Sequence, residues 1–228
     1  MDLKDHYNKM WTASLQKFKK QQFQFDPLLD ADDDNRYGLT LLARPSEEVK
    51  QSILDALEEI KRIAPSQYYY SHPDLHITIL SIISCYPCFS PDAIDTEEYC
   101  KIISSAVASV APFRISFCGV TASSSCILIQ GFPGNDQLQI LRNTLRDTFR
   151  QSGLQHSIDK RYQLQTTHMT AIRFKESFAE SEAFVKAIEN LREKDFGSCS
   201  VKQLELVGND WYHREEKVQR ICKFKLSN

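Results

Sequence analysis

Two short stretches of the chain pair a histidine with a threonine two residues later: "DLHITIL" at 74–80 and "TTHMTAI" at 166–172. Each reads as an apolar strand with the histidine inside it, and side chains alternate faces along a strand. His76 and Thr78 therefore share one face, opposite Ile77 and Ile79. His168 and Thr170 share another, opposite Met169 and Ala171. If two such faces meet, the set suits phosphodiester chemistry. One neutral histidine takes a proton from the attacking nucleophile, and the other, protonated, gives one to the leaving oxygen. The threonine hydroxyls donate to the non-bridging phosphate oxygens, where negative charge develops. No metal or cofactor is needed, and two histidines without a nearby carboxylate cluster make a poor hydrolytic metal site. Taken singly, either motif is better read as a hydrogen-bonded histidine on a threonine-bearing strand. Their recurrence in matching surroundings reverses that preference.

The recurrence extends to the elements that must position the motifs. "YGLTLLARP" reads as a strand stopped by Pro45, and "SEEVKQSILDALEEIKRIA" as a helix capped by Ser46, with Val49, Ile53, Leu57 and Ile60 as its apolar stripe. The first histidine strand follows, then a helix near 92–110 and the strand "FRISFCGVT". The second half runs alike. "SCILIQGF" is a strand, and a helix follows with Leu138, Leu141, Leu145 and Phe149 inward and Gly153 near its end. After the second histidine strand come a helix bearing Phe184, Ile188 and Leu191, the strand "SVKQLELVG" and a closing strand "KVQRICKFKL". The histidines lie roughly 90 residues apart, as do the strands that open the halves. A repeat of this length predicts two like lobes rather than a solenoid.

The 228 residues carry 28 Lys and Arg against 30 Asp and Glu, a formal net charge of −2. That excludes broad, non-specific nucleic-acid binding, which needs a large basic field, but allows a small basic cleft. No apolar run is long enough for a membrane span, and the first residues lack the apolar core of a secretory signal. A cytoplasmic location is therefore expected, with all seven cysteines as free thiols. "CYPC" at 85–88 has metal or redox spacing. With no second such pair, small apolar residues around a turn are the better reading. No Gly-x-Gly-x-x-Gly or phosphate-binding Gly-Lys-Ser/Thr loop occurs.

"HITI" and "HMTA" resemble the paired histidine-x-threonine/serine signatures of the two-histidine (2H) phosphoesterase superfamily, which includes RNA 2′,3′-cyclic phosphodiesterases and 2′-5′ RNA ligase-like proteins. The resemblance spans roughly residues 36–226. It implies a bilobal α+β fold with pseudo-two-fold repetition, a mostly antiparallel sheet and flanking helices in each lobe, and a cleft between the lobes. By that resemblance His76 and His168 are the catalytic pair and Thr78 and Thr170 the phosphate-binding residues. The substrate is then a nucleotide or RNA end carrying a cyclic or 2′-5′ phosphodiester, hydrolysed without metal or cofactor. Two alternatives stay open: a non-catalytic module that binds nucleotides or RNA ends, and a mutarotase-type sugar isomerase. A monomer is expected. Residues 31–228 form a single bilobal domain in this reading, each lobe carrying one His-x-Thr strand. Residues 1–30 form an N-terminal helical extension with Tyr7, Met10, Trp11, Leu15 and Phe18 on one face. An extension lying over the cleft would bar long RNA.

Weaker candidates flank the motifs. Tyr70 suits base stacking or simple edge packing. Arg173, five residues after His168, points away from the histidine face under ideal alternation and reads as a surface arginine unless the strand end bends. Trp211, with His213 nearby, falls in a turn that could border the cleft. Arg142, Arg146 and Arg150 form a helical row, more simply a solvated flank than a phosphate track.

Overall fold

The computed structural model describes residues 2–160 and 162–227. In chain order its main elements are α1 (Leu3–Lys19), β1 (Arg36–Ala43), α2 (Glu47–Ile63), β2 (Tyr68–Tyr69), β3 (Ile77–Pro87), α3 (Thr96–Val107) and β4 (Phe113–Ala122). There follow β5 (Cys126–Pro133), α4 (Gln137–Ser152), β6 (Thr167–Arg173), α5 (Ser181–Asn190), β7 (Asp195–Val201), β8 (Gln203–Asp210) and β9 (Gln219–Lys225). The strands form two antiparallel sheets, ordered β3-β1-β8-β9 and β2-β6-β5-β4-β7. This is the two-lobed α+β arrangement expected, with one histidine motif on a strand of each sheet. The predicted helical stripes are buried as read: Val49, Ile53, Leu57 and Ile60 on α2, and Leu138, Leu141, Leu145 and Phe149 on α4. Ser46 does occupy the cap position of α2, but its hydroxyl makes no cap hydrogen bond to the helix. Gly153 ends α4 at φ +70°, a left-handed turn that glycine enters without a Cβ clash.

The lobes are not the two halves of the chain. β4 belongs to the second sheet, while β8 and β9 return to the first. The stretch read as one strand, "SVKQLELVG", is two, parted at Lys202, and its pieces serve different sheets. A strand pattern in sequence reports burial on alternate faces, not which sheet receives it. The helices cross over as well. α2, which follows β1 of the first sheet, packs on β7 and α5; α4, between two strands of the second, packs on β3 and α3. Each lobe thus supplies a cover for the other, and one continuous apolar cluster takes residues from both sheets.

The N-terminal helix does not lie over the cleft described below. It packs on β4 and α5, with Tyr7, Trp11 and Phe18 buried. Its deepest residue, Tyr7, is wholly enclosed. The Tyr7 hydroxyl accepts from the Thr167 N–H at 3.0 Å and donates to the Gly131 carbonyl at 3.3 Å. A Cβ at Gly131 would meet the Thr167 carbonyl at 2.0 Å, so only glycine permits this approach of β5 to β6. The segment read as an extension therefore braces the strand that carries His168.

The cysteine expectation needs one correction. Cys100 on α3 and Cys222 on β9 form a disulfide, while Cys85, Cys88, Cys118, Cys126 and Cys199 are unpaired. Among the described residues no helix is long and apolar enough to cross a membrane.

Tyr7→Phe deletes the hydroxyl but keeps the ring. It leaves buried backbone groups on β5 and β6 unsatisfied and is expected to cost about 1–3 kcal/mol of stability by urea denaturation.

Candidate active site

A cavity of about 280 Å³ opens between the sheets. Its walls include His76, Thr78, His168 and Thr170 of the two motifs and the weaker candidates Tyr70, Arg173, Trp211 and His213. A second, more open hollow of about 440 Å³ takes Thr167 rather than His168 from β6 and contains neither motif.

His76 is not within its strand. It immediately precedes β3, and its Nδ1 lies 2.7 Å from the Asp74 carbonyl. A carbonyl only accepts, so Nδ1 carries the proton and Nε2 keeps its lone pair. On β6, His168 Nδ1 lies 2.7 Å from the Thr166 hydroxyl. Ile77, Ile79, Met169 and Ala171 are fully buried on the opposite faces, as alternation requires. Among the described residues neither the Thr78 nor the Thr170 hydroxyl has a hydrogen-bond partner, which leaves both able to donate.

Alternation fails further along β6, and the failure brings in Arg173. Ile127 pairs with Ile172 but Leu128 pairs with Thr170, so Ala171 is an extra residue in a β-bulge. The bulge shifts the phase by one residue and returns Arg173 to the face of His168 and Thr170. Its guanidinium lies 5.5 Å over the Tyr212 ring and 4.0 Å from Asp26, and its Nη2 donates to the Tyr70 hydroxyl at 3.4 Å. Arg173 Nε is buried without a partner. Tyr70 is itself 3% exposed, held in the wall by Arg173 and the backbone of β6 rather than displayed as a free stacking face. Trp211, by contrast, is half-buried, with Arg36 over its ring at 5.0 Å.

Arg142 overturns both readings of the α4 arginine row. It is 1% exposed, neither solvated nor available to a ligand as a track. Nε donates to the Ile79 carbonyl at 2.9 Å, and Nη2 donates to the carbonyls of Thr78 at 3.0 Å and Thr166 at 2.9 Å. One guanidinium thus ties the strand of the first motif to the residue that contacts His168. Arg146 is also buried, bonded to Asp159 at 2.8 Å and to the Leu164 carbonyl; only Arg150 is exposed as expected. Sequence periodicity placed all three beside the leucine stripe but carried no sign of the second surface that covers two of them.

Burial depresses both motif histidines, His76 and His168 each to about 4. Arg44 adds to the effect on His76, and Arg142 and His76 to that on His168. At neutral pH both imidazoles are uncharged. His213 is a third cleft histidine, in the turn that the sequence placed with Trp211 at the border of the cleft. Among the described residues no cluster of His, Cys, Asp and Glu is placed to hold a metal ion.

Residues 45–211 match the 2′-5′ RNA ligase superfamily, and the chain belongs to that superfamily. No curated protein matches it in sequence. Among solved structures, TT0787 of Thermus thermophilus is similar at 16% identity and TM-score 0.55, over 83% of this chain and 97% of that one. LigT of E. coli complexed with 3′-AMP is similar at 13% identity and TM-score 0.56, over 85% of this chain and 99% of that one. A crystallised phosphoesterase is similar at 14% identity and TM-score 0.57, with the same coverage. At these identities the likeness establishes the fold.

Two measurements test the site's construction. Arg142→Met removes three charge-assisted hydrogen bonds to buried carbonyls and is expected to destabilise the fold by about 3 kcal/mol or more in urea titration. The histidines set the acid limit. The unfolded chain binds protons on them near pH 6.5, the folded cleft only near 4, so stability is complete above 6.5 and falls as pH drops through that window. Unfolding free energies from urea titration at pH 7 and 5 are expected to differ by about 2 kcal/mol for each histidine, and His76→Gln with His168→Gln removes these two contributions.

Proposed function

We propose that the protein hydrolyses a cyclic or 2′-5′ phosphodiester at a nucleotide or RNA end, with His76 and His168 as the acid–base pair and Thr78 and Thr170 binding the phosphate. One observation carries the reading: both His-x-Thr pairs, from separate sheets, line one cavity. Superfamily membership supports phosphoryl-transfer chemistry. LigT, of the same fold, has been crystallised with 3′-AMP, ATP, NADP+ and phosphate, in keeping with a nucleotide-sized ligand here.

In this mechanism one neutral imidazole removes a proton from water as its oxygen attacks phosphorus. The bond to the leaving ester oxygen breaks, and the other imidazole, protonated, gives that oxygen its proton. The unpartnered threonine hydroxyls donate to the non-bridging oxygens as charge grows there. Arg173 extends the positive field along the His168 wall. Ligation is the same path reversed.

The depressed histidines also suit a second reading, a nucleotide-binding module in which neither imidazole gains a proton. Turnover decides between them. Nucleoside 2′,3′-cyclic phosphates and 2′-5′-linked dinucleotides are to be assayed with and without EDTA. The wild type is expected to show a bell-shaped pH–rate profile unaffected by EDTA. His76→Ala and His168→Ala are each expected to lower kcat by about 10²–10⁴-fold. Binding without turnover across the panel favours the module, and full activity in the double alanine variant removes both histidines from the mechanism.

A further inference from the structure

His213 belongs to neither motif, yet its ring lies on that of His76, with centroids 3.9 Å apart and 32° between the planes. Both rings are 9% exposed. The backbone at His213 has φ +58°, the left-handed region that a non-glycine residue occupies at a cost of about 1–2 kcal/mol. Such a conformation persists where its surroundings over-determine it, and it marks a place to look for function.

The surroundings here are specific. Asp210 Oδ1 accepts from the N–H groups of Tyr212 at 3.2 Å and Arg214 at 3.0 Å, folding the turn. The Glu215 N–H donates to Asp74 Oδ1 at 2.9 Å. Asp74 is the residue whose carbonyl receives His76 Nδ1–H. One residue therefore holds the rotation of His76 and also anchors the turn that bears His213. Asn209 Nδ2 lies 3.0 Å from His213 Nε2. An amide N–H only donates, so Nε2 accepts and the proton of this neutral ring sits on Nδ1, which is buried without a partner.

We infer that His213 is a positioning residue for His76: it covers one face of the His76 ring, excludes water from that face and, with the Asp74 carbonyl, fixes the ring's orientation. The role in turnover rests on the two-histidine reading above; the stack and its effect on His76 do not. The groups around the stack act in the same sense. His76, Arg44 and Arg173 oppose a positive charge on His213, Arg44 opposes one on His76, and Arg142 and His76 oppose one on His168. Each nearby carboxylate has a partner outside the stack, although Asp210 Oδ2 and Glu215 Oε2 are buried without a hydrogen bond. Asp74 binds Ser71 and Glu215, Asp210 binds its own turn, Glu205 lies 3.4 Å from Arg44, and Glu215 pairs with Arg220.

The test compares the full-length wild type with His213→Asn, which suits the left-handed backbone but uncovers the ring, and His213→Phe, which keeps a flat cover without a titrating group. The His76 imidazole is titrated by NMR with and without inorganic phosphate, and turnover is measured in parallel. In the wild type His76 is expected to titrate below about pH 5 and to rise when phosphate binds. In His213→Asn it is expected at least about one pH unit higher, with kcat at pH 7 down about tenfold and KM within about threefold. In His213→Phe the titration is expected within about half a unit of the wild type. An unmoved His76 titration in His213→Asn overturns the inference, as does a normal titration near 6.5 in His213→Phe, the variant that decides if His213→Asn does not fold. A wild type that titrates as expected but turns over no phosphodiester sinks the proposed reaction and leaves the positioning of His76 standing.

Discussion

The cleft depends on one buried cation, Arg142, that makes no ion pair among the described residues. Arg142 spans from α4 to the carbonyls of Thr78, Ile79 and Thr166 and so links β3 to the lead-in of β6. The motifs sit on different sheets, and without a link across them the distance between the two histidine faces would follow the packing of apolar side chains alone. A planar guanidinium with donors in a fixed fork is suited to three carbonyls that diverge from one point. Burial lowers its pKa only to about 10, so it stays charged at neutral pH. The crossed placement of α2 and α4 reinforces the link, because each helix closes the lobe it does not belong to in sequence.

That cation also sets the electrostatics of the cleft. Arg142 opposes positive charge on His168, Arg44 and Arg173 oppose it on His213, and burial acts in the same direction. Imidazoles placed there stay neutral. What would balance the arrangement is an anion, in keeping with the proposed phosphodiester substrate. The strain at His213 and the orphaned polar atoms of Arg173, Asn209 and His213 gather at the same cavity. Other buried polar atoms without a partner, on Arg44, His156, Asp210 and Glu215, belong to residues outside its lining.

Much of the motif chemistry was legible in sequence because it is local. The spacing of two residues puts His76 with Thr78 and His168 with Thr170 whatever the rest of the chain does, and the apolar residues between them are buried on the other side. The helices were equally legible, since their stripes repeat with the helical period. The errors occurred where local rules meet long-range pairing. Alternation sent Arg173 to the wrong face because a bulge at Ala171 is specified by its pairing with β5, not by β6 itself. The apparent repeat of two halves misassigned β4, β8 and β9, since a strand's pattern does not name its sheet.

By itself, then, the sequence determined which side chains travel together: two His-x-Thr pairs, each on one face of an otherwise apolar strand, in a chain of the 2′-5′ RNA ligase superfamily. Only the tertiary structure decided that the two faces share one cavity, that Arg142 is a buried tie rather than a surface charge, and that His213 stacks on His76. The reason is range. Pair geometry within a strand is set by covalent backbone repeat, whereas His213 reaches His76 through a turn fixed by Asp74 and Asp210, contacts that no periodicity records.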